Sequence, residues 1–265
     1  MLIDSHCHLN HEKFEGAAPS DIIARARAAG VGGMLTINVK IASEFEEILN
    51  IAQAHKNVWC TVGTHPHHAG EAAEQEISES ELVRLAQSDP NIVGIGESGL
   101  DYFYDFAPVE DQKESFRKHI RACIETDLPL IVHAREADRD VMDIIKEEGA
   151  GTRLKGVLHC FSSGAAMAEE ALDFGFYISF SGIVTFKSAT ELQEIAARVP
   201  LDRILVETDA PYLAPQAMRG KTNEPAYVTH TAQKLADLHD IQAEDIAQHS
   251  TANFFQLFDR AHLND

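Results

Sequence analysis

The sequence predicts an α/β fold and, within that class, a (β/α)8 TIM barrel spanning residues 1–265 as one domain. Three observations carry this reading. Eight short apolar runs alternate with longer amphipathic segments, the chain has 265 residues, and no Gly/Ser linker, low-complexity tract or charge block divides it. Strands alternating with helices build a parallel sheet, and this length is close to that of one complete barrel. A doubly wound open sheet shares the alternation, but the count of eight favours the barrel. No GxGxxG or GxxxxGK(S/T) follows any of the runs, so the phosphate cradles of dinucleotide-binding and P-loop folds are missing.

The expected strands are Leu2–Asp4, Gly33–Asn38, Val58–Gly63, Ile92–Gly96, Leu130–Val132, Gly156–Leu158, Phe176–Ser179 and Ile204–Val206. Between them, apolar residues recur at helical spacing. Ser20 precedes Ile22, Ile23 and Ala26; Ser43 precedes Phe45, Ile48, Leu49 and Ala52; Glu114 precedes Phe116, Ile120, Cys123 and Ile124. Further helical segments are expected over 137–148, 164–174, 189–199, 228–238 and 243–258. The acidic stretch 71–81 reads as a solvated loop leading into a helix capped by Ser78 and ending near Gln87.

Hydrophobic residues make up 45% and charged residues 24%, as in an ordinary globular protein. No apolar run approaches the roughly 18 residues of a membrane span. The opening MLIDSHCHLN lacks a basic segment followed by an apolar one, so no signal peptide and a cytoplasmic location are expected. Cys7, Cys60, Cys123 and Cys160 form no CxxC pair, which excludes zinc ribbons and thioredoxin-like motifs. Each reads as a small buried apolar residue. Cys7 and Cys160 adjoin histidines but are expected on the opposite strand face from them. A net charge of −20 argues against a broad nucleic-acid-coating surface, which would need Lys and Arg.

The residues that carry chemistry stand where the apolar runs stop. His6 and His8 are two apart on an extended strand, so both imidazoles project the same way and can share a divalent metal. Glu97 follows the fourth run, His133 the fifth, His159 the sixth and Asp209 the eighth. In a barrel these ends converge on the face where active sites form. Four histidines and two carboxylates exceed one tetrahedral site, which implies two divalent metal ions per chain, about 3.5–4 Å apart, with a carboxylate between them. Mixed nitrogen and oxygen ligands admit Zn, Mn, Mg or Ni. His65 closes the third run and is read as substrate-binding, whereas His67 and His68 read as turn residues beside Pro66. Arg135, Arg219 and Lys221 offer cations suited to a phosphate. Glu207 reads as a carboxylate that orients a ligand. Asp101 and Tyr102 suit either pocket or scaffold.

The motifs together resemble the TatD family of metal-dependent deoxyribonucleases in the amidohydrolase superfamily. The resemblance spans nearly the whole chain: DSHCHL at 4–9, GTHPH at 63–67, GESGLDY at 96–102, VHAR at 132–135, VLHCFSS at 157–163, YISFSGIVTF at 177–186, VETDAPYLAP at 206–215 and RGKTNEP at 219–225. It implies a barrel, a dinuclear metal centre and 3′-to-5′ hydrolysis of phosphodiester bonds, with DNA 3′ ends or another phosphodiester as substrate. It implies no membrane and no protein partner. It also implies that His6, His8, Glu97 and Asp209 hold one metal and His133 and His159 the other, with Glu97 bridging and Glu97 and Asp209 catalytic. Ser98 and Ala210 stand where the family often has Thr and Ser. Two other readings remain open. One is an amidohydrolase acting on a small ester, lactone or amide; several of these bridge their metals with a carboxylated lysine at the fourth strand, and IVGIGESG offers none. The other is a noncatalytic metal-binding scaffold, which the complete ligand set disfavours.

Overall fold

A computed structural model describes residues 1–14 and 16–263. Eight parallel strands follow one another around a single sheet in chain order: β1 (Leu2–Cys7), β2 (Val31–Thr36), β3 (Val58–Val62), β4 (Ile92–Asp101), β5 (Leu130–Arg135), β6 (Gly156–Leu158), β7 (Tyr177–Phe180) and β8 (Ile204–Val206). The ring closes where Cys7 bridges Ala210 and the Ser5 hydroxyl donates to Val206 O at 3.0 Å. The helices are α1 (Pro19–Ala28), α2 (Ile41–Ala54), α3 (Ala72–Gln75), α4 (Glu79–Ala86), α5 (Val109–Thr126), α6 (Asp138–Gly149), α7 (Ala165–Asp173), α8 (Thr190–Ala196), α9 (Val228–His239) and α10 (Ala243–Leu257). The expected (β/α)8 barrel is what forms.

Two apolar layers hold it. The larger lies between the barrel and its helices, with Ile22, Ile48, Phe116, Ile120, Ile145 and Leu235 facing outward-pointing strand residues. The smaller fills the barrel. Ile3, Leu35, Trp59, Val93, Ile131, Val157, Tyr177 and Leu205, one from each strand, meet Phe254 and Phe258 at the end of the chain. Helix α10 thereby plugs the end of the barrel where the strands begin, and the polar strand termini are left to the opposite mouth. Burial of these side chains contributes about 1.5–3 kcal/mol each before entropy is counted.

Several boundaries move. β1 runs through His6 to Cys7, and β2 begins at Val31 and stops at Thr36. β7 starts one residue late. The largest change is β4, which continues past Gly96 to Asp101. The sequence reading ends this strand at Gly96, and the glycines there permit it to continue. A Cβ on Gly96 (φ 132°) would lie 2.6 Å from Ile131 O, and one on Gly99 (φ 152°) would lie 1.9 Å from His133 O. Glycine at these two positions lets β4 press against β5. The acidic stretch is also less solvated than expected. Ser78 does cap α4, accepting from Glu81 N at 3.1 Å, but Glu74 is buried and its carboxylate accepts the α2 amides of Ile41 and Ala42. Among the described residues no helix is long and apolar enough to cross a membrane.

Candidate metal centre

Asp4 is the strut that brings the two ends of the barrel ring together. Its buried carboxyl accepts from Thr208 N at 2.9 Å and His6 N at 3.3 Å and pairs with the Thr208 hydroxyl at 2.5 Å. Asp209 N donates to His6 O, and His8 N to Ala210 O. His6, His8 and Asp209 are thereby fixed side by side, Asp209 in the left-handed region (φ 56°) that Asp tolerates better than most residues. Burial raises the Asp4 carboxyl to about 8 against the hydrogen bonds it accepts.

Glu97 stands at the centre, 2% exposed. Its Oε1 lies 2.7 Å from His159 Nε2, 2.8 Å from His133 Nδ1 and 3.4 Å from His65 Nε2, and its Oε2 lies 3.3 Å from His6 Nε2. Asp209 Oδ1 is 3.4 Å from His8 Nε2 and 3.7 Å from His6 Nε2. Burial alone would raise the Glu97 carboxyl, but His159 and His65 beside it, with hydrogen bonds from His133 and His159, hold it well below the usual range. The histidines divide into two kinds. Burial drives His6 down and His65 down to about 3. For His159, burial is outweighed by the Glu97 and Glu207 carboxylates, which raise it well above 6.5. His8 and His133 rise as well, against burial, because Asp209 sits beside the first and Asp101 and Glu97 beside the second.

The donor set fits divalent cations. Neither ring nitrogen of the fully buried His6 has a hydrogen-bond partner, nor do His159 Nδ1 and Glu207 Oε2. Buried polar atoms are ordinarily satisfied, and His6 Nε2, between the Glu97 and Asp209 carboxylates, is placed to give a lone pair to a cation. Three groups present ligand atoms within 4.8 Å of one another: His6, His8 and Glu97; His6, His159 and Glu207; and His65, Glu97 and His133.

The sequence matches the family model described as TatD related DNase over residues 3–259. The chain belongs to the TatD-related DNase family. The metal-dependent hydrolase YcfH of Escherichia coli is 41% identical over 97% of this chain and 96% of its own. The 3′-5′ ssDNA/RNA exonuclease TatD of Erwinia amylovora is 36% identical over 89% and 92%. Among solved structures, the TatD homologue YJJV of Escherichia coli superposes with a TM-score of 0.88 at 28% identity, covering 97% of this chain and 98% of that one. The chain is thus a TatD-type metal-dependent hydrolase.

Within this TatD barrel, His6, His8, Glu97, His133, His159 and Asp209 all come together at one mouth. His65, read as substrate-binding, lies within the cluster against Glu97 and the His133 ring. His67 is more than a turn residue, because its Nε2 lies 2.8 Å from Asp101 Oδ2. Asp101 also meets His133 Nε2 at 3.2 Å, whereas Tyr102 turns away to donate to Asp140. Glu207 accepts from Cys160 N at 2.8 Å and lies 3.4 Å from His159 Nδ1, consistent with orienting that ring. Arg135 is exposed at the rim, its guanidinium over the rings of Phe103 and Tyr104. Arg219 and Lys221, read as substrate-binding, lie in the loop that follows β8. They follow a turn at Gln216–Met218 and are exposed, and among the described residues neither side chain makes an ion pair or hydrogen bond. Cys160 is likewise not on a strand; it lies past β6 with φ 45°, its Sγ 3.2 Å from the Ser181 hydroxyl.

Asp101 was the residue hardest to foresee. Its link to His133 depends on β4 continuing five residues past Gly96. The aspartate closing GESGLD was the available signal.

Proposed function

We propose that the chain hydrolyses phosphodiester bonds at the 3′ ends of nucleic acid strands, using two divalent ions held in the barrel mouth. The observation that carries this reading is Glu97, one carboxylate in reach of four histidines, beside a His6 ring with no hydrogen-bond partner. His6, His8, Glu97 and Asp209 would hold one ion, and His133, His159 and Glu97 the other. His65 is placed to join the second set. Such ions supply Lewis acidity toward phosphoryl oxygens and an acidified water at neutral pH.

The protein's own groups do the positioning. Asp101 fixes the His133 ring from its far nitrogen, and the Glu207 carboxylate faces the far nitrogen of His159 at 3.4 Å, so each imidazole turns its other edge to Glu97. Asp209, more open than Glu97 at 14% side-chain exposure against 3%, can orient the attacking water and accept its proton. Arg135 offsets phosphate charge at the rim. A cytoplasmic location suits the four unpaired cysteines.

The test is a substrate panel given to the metal-reconstituted protein across a salt series: end-labelled single strands, blunt duplexes, closed circles, lactones and N-acyl compounds. Single-stranded 3′ ends should be cut at least about tenfold faster than any duplex. With only about three phosphates contacted, log K should fall with log salt at a slope near −2, against −6 or steeper for a protein that neutralises many phosphates. Efficient cutting of closed circles, or turnover confined to lactones or amides, would overturn the reading.

A further inference from the structure

Beside the cluster, the loop leaving β4 exposes three aromatic side chains in succession. Phe103, Tyr104 and Phe106 are 51%, 39% and 65% accessible. Tyr104 packs against both neighbours, edge-on to Phe103 at 4.7 Å and nearly parallel to Phe106 at 5.3 Å and 25°. Contiguous exposed rings of this kind mark binding surfaces. The Arg135 guanidinium lies 4.1 Å from the Phe103 centroid and 4.9 Å from that of Tyr104. On the other side, the His67 ring lies 4.8 Å from Phe106 and 5.3 Å from Tyr104.

One carboxylate ties this patch to the candidate metal ligands. Asp101 Oδ1 accepts from Phe103 N at 3.0 Å and Tyr104 N at 3.1 Å, while its Oδ2 meets His67 and His133. The aromatic loop is therefore held at a fixed distance from the cluster.

We propose that Phe103, Tyr104, Phe106 and Arg135 form a stacking subsite for unpaired bases of a strand whose end lies at His133 and Glu97. This rests on the nuclease reading above. Charge supplies the reason for stacking. A chain of net charge −20 repels polyanions at long range, so affinity must come from contacts that do not depend on net charge. Base stacking on aromatic rings is such a contact, and it tolerates any base. Arg135 adds a cation already held beside the rings, with donors suited to a phosphate. Paired bases hide their faces inside a duplex, so the subsite selects single strands.

The experiment compares the wild-type metal-loaded protein with a Phe103→Ala/Phe106→Ala double variant. Two short 5′-labelled probes with cleavage-resistant phosphorothioate linkages are used, an oligothymidylate and an abasic strand of equal length. Binding is read by fluorescence anisotropy, and cleavage is read on the unmodified strands. The wild type should bind the thymidylate at least about tenfold more tightly than the abasic strand. The variant should lose that preference while keeping its melting temperature and metal content. A variant that retains the preference, or a wild type that shows none, overturns the subsite. Equal cleavage of both strands with no base preference would remove the subsite and leave the nuclease reading intact. Base-dependent binding through the patch without cleavage would do the reverse. Neither binding nor cleavage would remove both.

Discussion

Replacing Glu97 with Ala should lower turnover by at least about 10³-fold, since bound metal contributes several kcal/mol to the transition state and each 1.36 kcal/mol is tenfold. Bound metal should fall as well, because this carboxylate lies within 3.4 Å of nitrogen atoms on His6, His65, His133 and His159. The neighbouring carboxylates reach fewer of these rings. Asp209 faces His6 and His8, and Glu207 faces His159 from the far side. The control is Cys7→Ser and Cys160→Ser. Cys7 Sγ donates to Leu35 O at 3.5 Å and Cys160 Sγ faces Ser181, so both variants should keep nearly full metal content. Turnover and metal analysis check all three, and near-normal turnover in Glu97→Ala would sink the two-metal reading.

Metal affinity should rise steeply with pH, by at least about tenfold per unit from pH 6 to 7.5, because ligand histidines must shed their protons to bind. The direction follows from the neighbours of each ring. In the metal-free protein His159, His8 and His133 are raised above 6.5 despite burial, so they hold their protons to higher pH than a free imidazole and binding must displace them. His6 and His65 are lowered by burial and add little. The same shifts set the stability of the metal-free fold. The raised histidines stabilise it fully below 6.5 and lose that contribution as pH climbs through their folded values. Glu97, depressed from 4.5, contributes fully above 4.5 and loses its contribution as pH falls through its folded value. Taken alone, these four groups favour the window between about 4.5 and 6.5, while His6 and His65, lowered by burial, weaken the fold as pH falls below 6.5; the loaded protein gains stability above that window. Calorimetry in two buffers of different ionisation enthalpy counts the protons released, and a pH-independent affinity would contradict the ion-paired cluster.

The barrel was legible because its strands are buried on both faces and read as short apolar runs. The six-residue cluster was legible because strand ends of a barrel converge, so His6 and Asp209 meet although they lie at opposite ends of the sequence. What escaped depended on packing between strands. At Gly96 and Gly99 the Ile131 and His133 carbonyls occupy the space a side chain would take, a contact that the run of apolar residues does not reveal. With β4 cut short at Gly96, Asp101 had no visible route to His133. His67 beside Pro66 resembled a turn histidine, and only the extended β4 brings Asp101 within 2.8 Å of it. Phe103, Tyr104 and Phe106 carry no periodicity that separates an exposed platform from a buried core.

Anomalous scattering from crystals soaked in Mn2+ locates the ions in the barrel mouth. Two peaks about 3.5–4 Å apart are expected, one among His6, His8, Glu97 and Asp209 and the other among Glu97, His133 and His159. A single peak, or peaks away from Glu97, would contradict the two-metal reading.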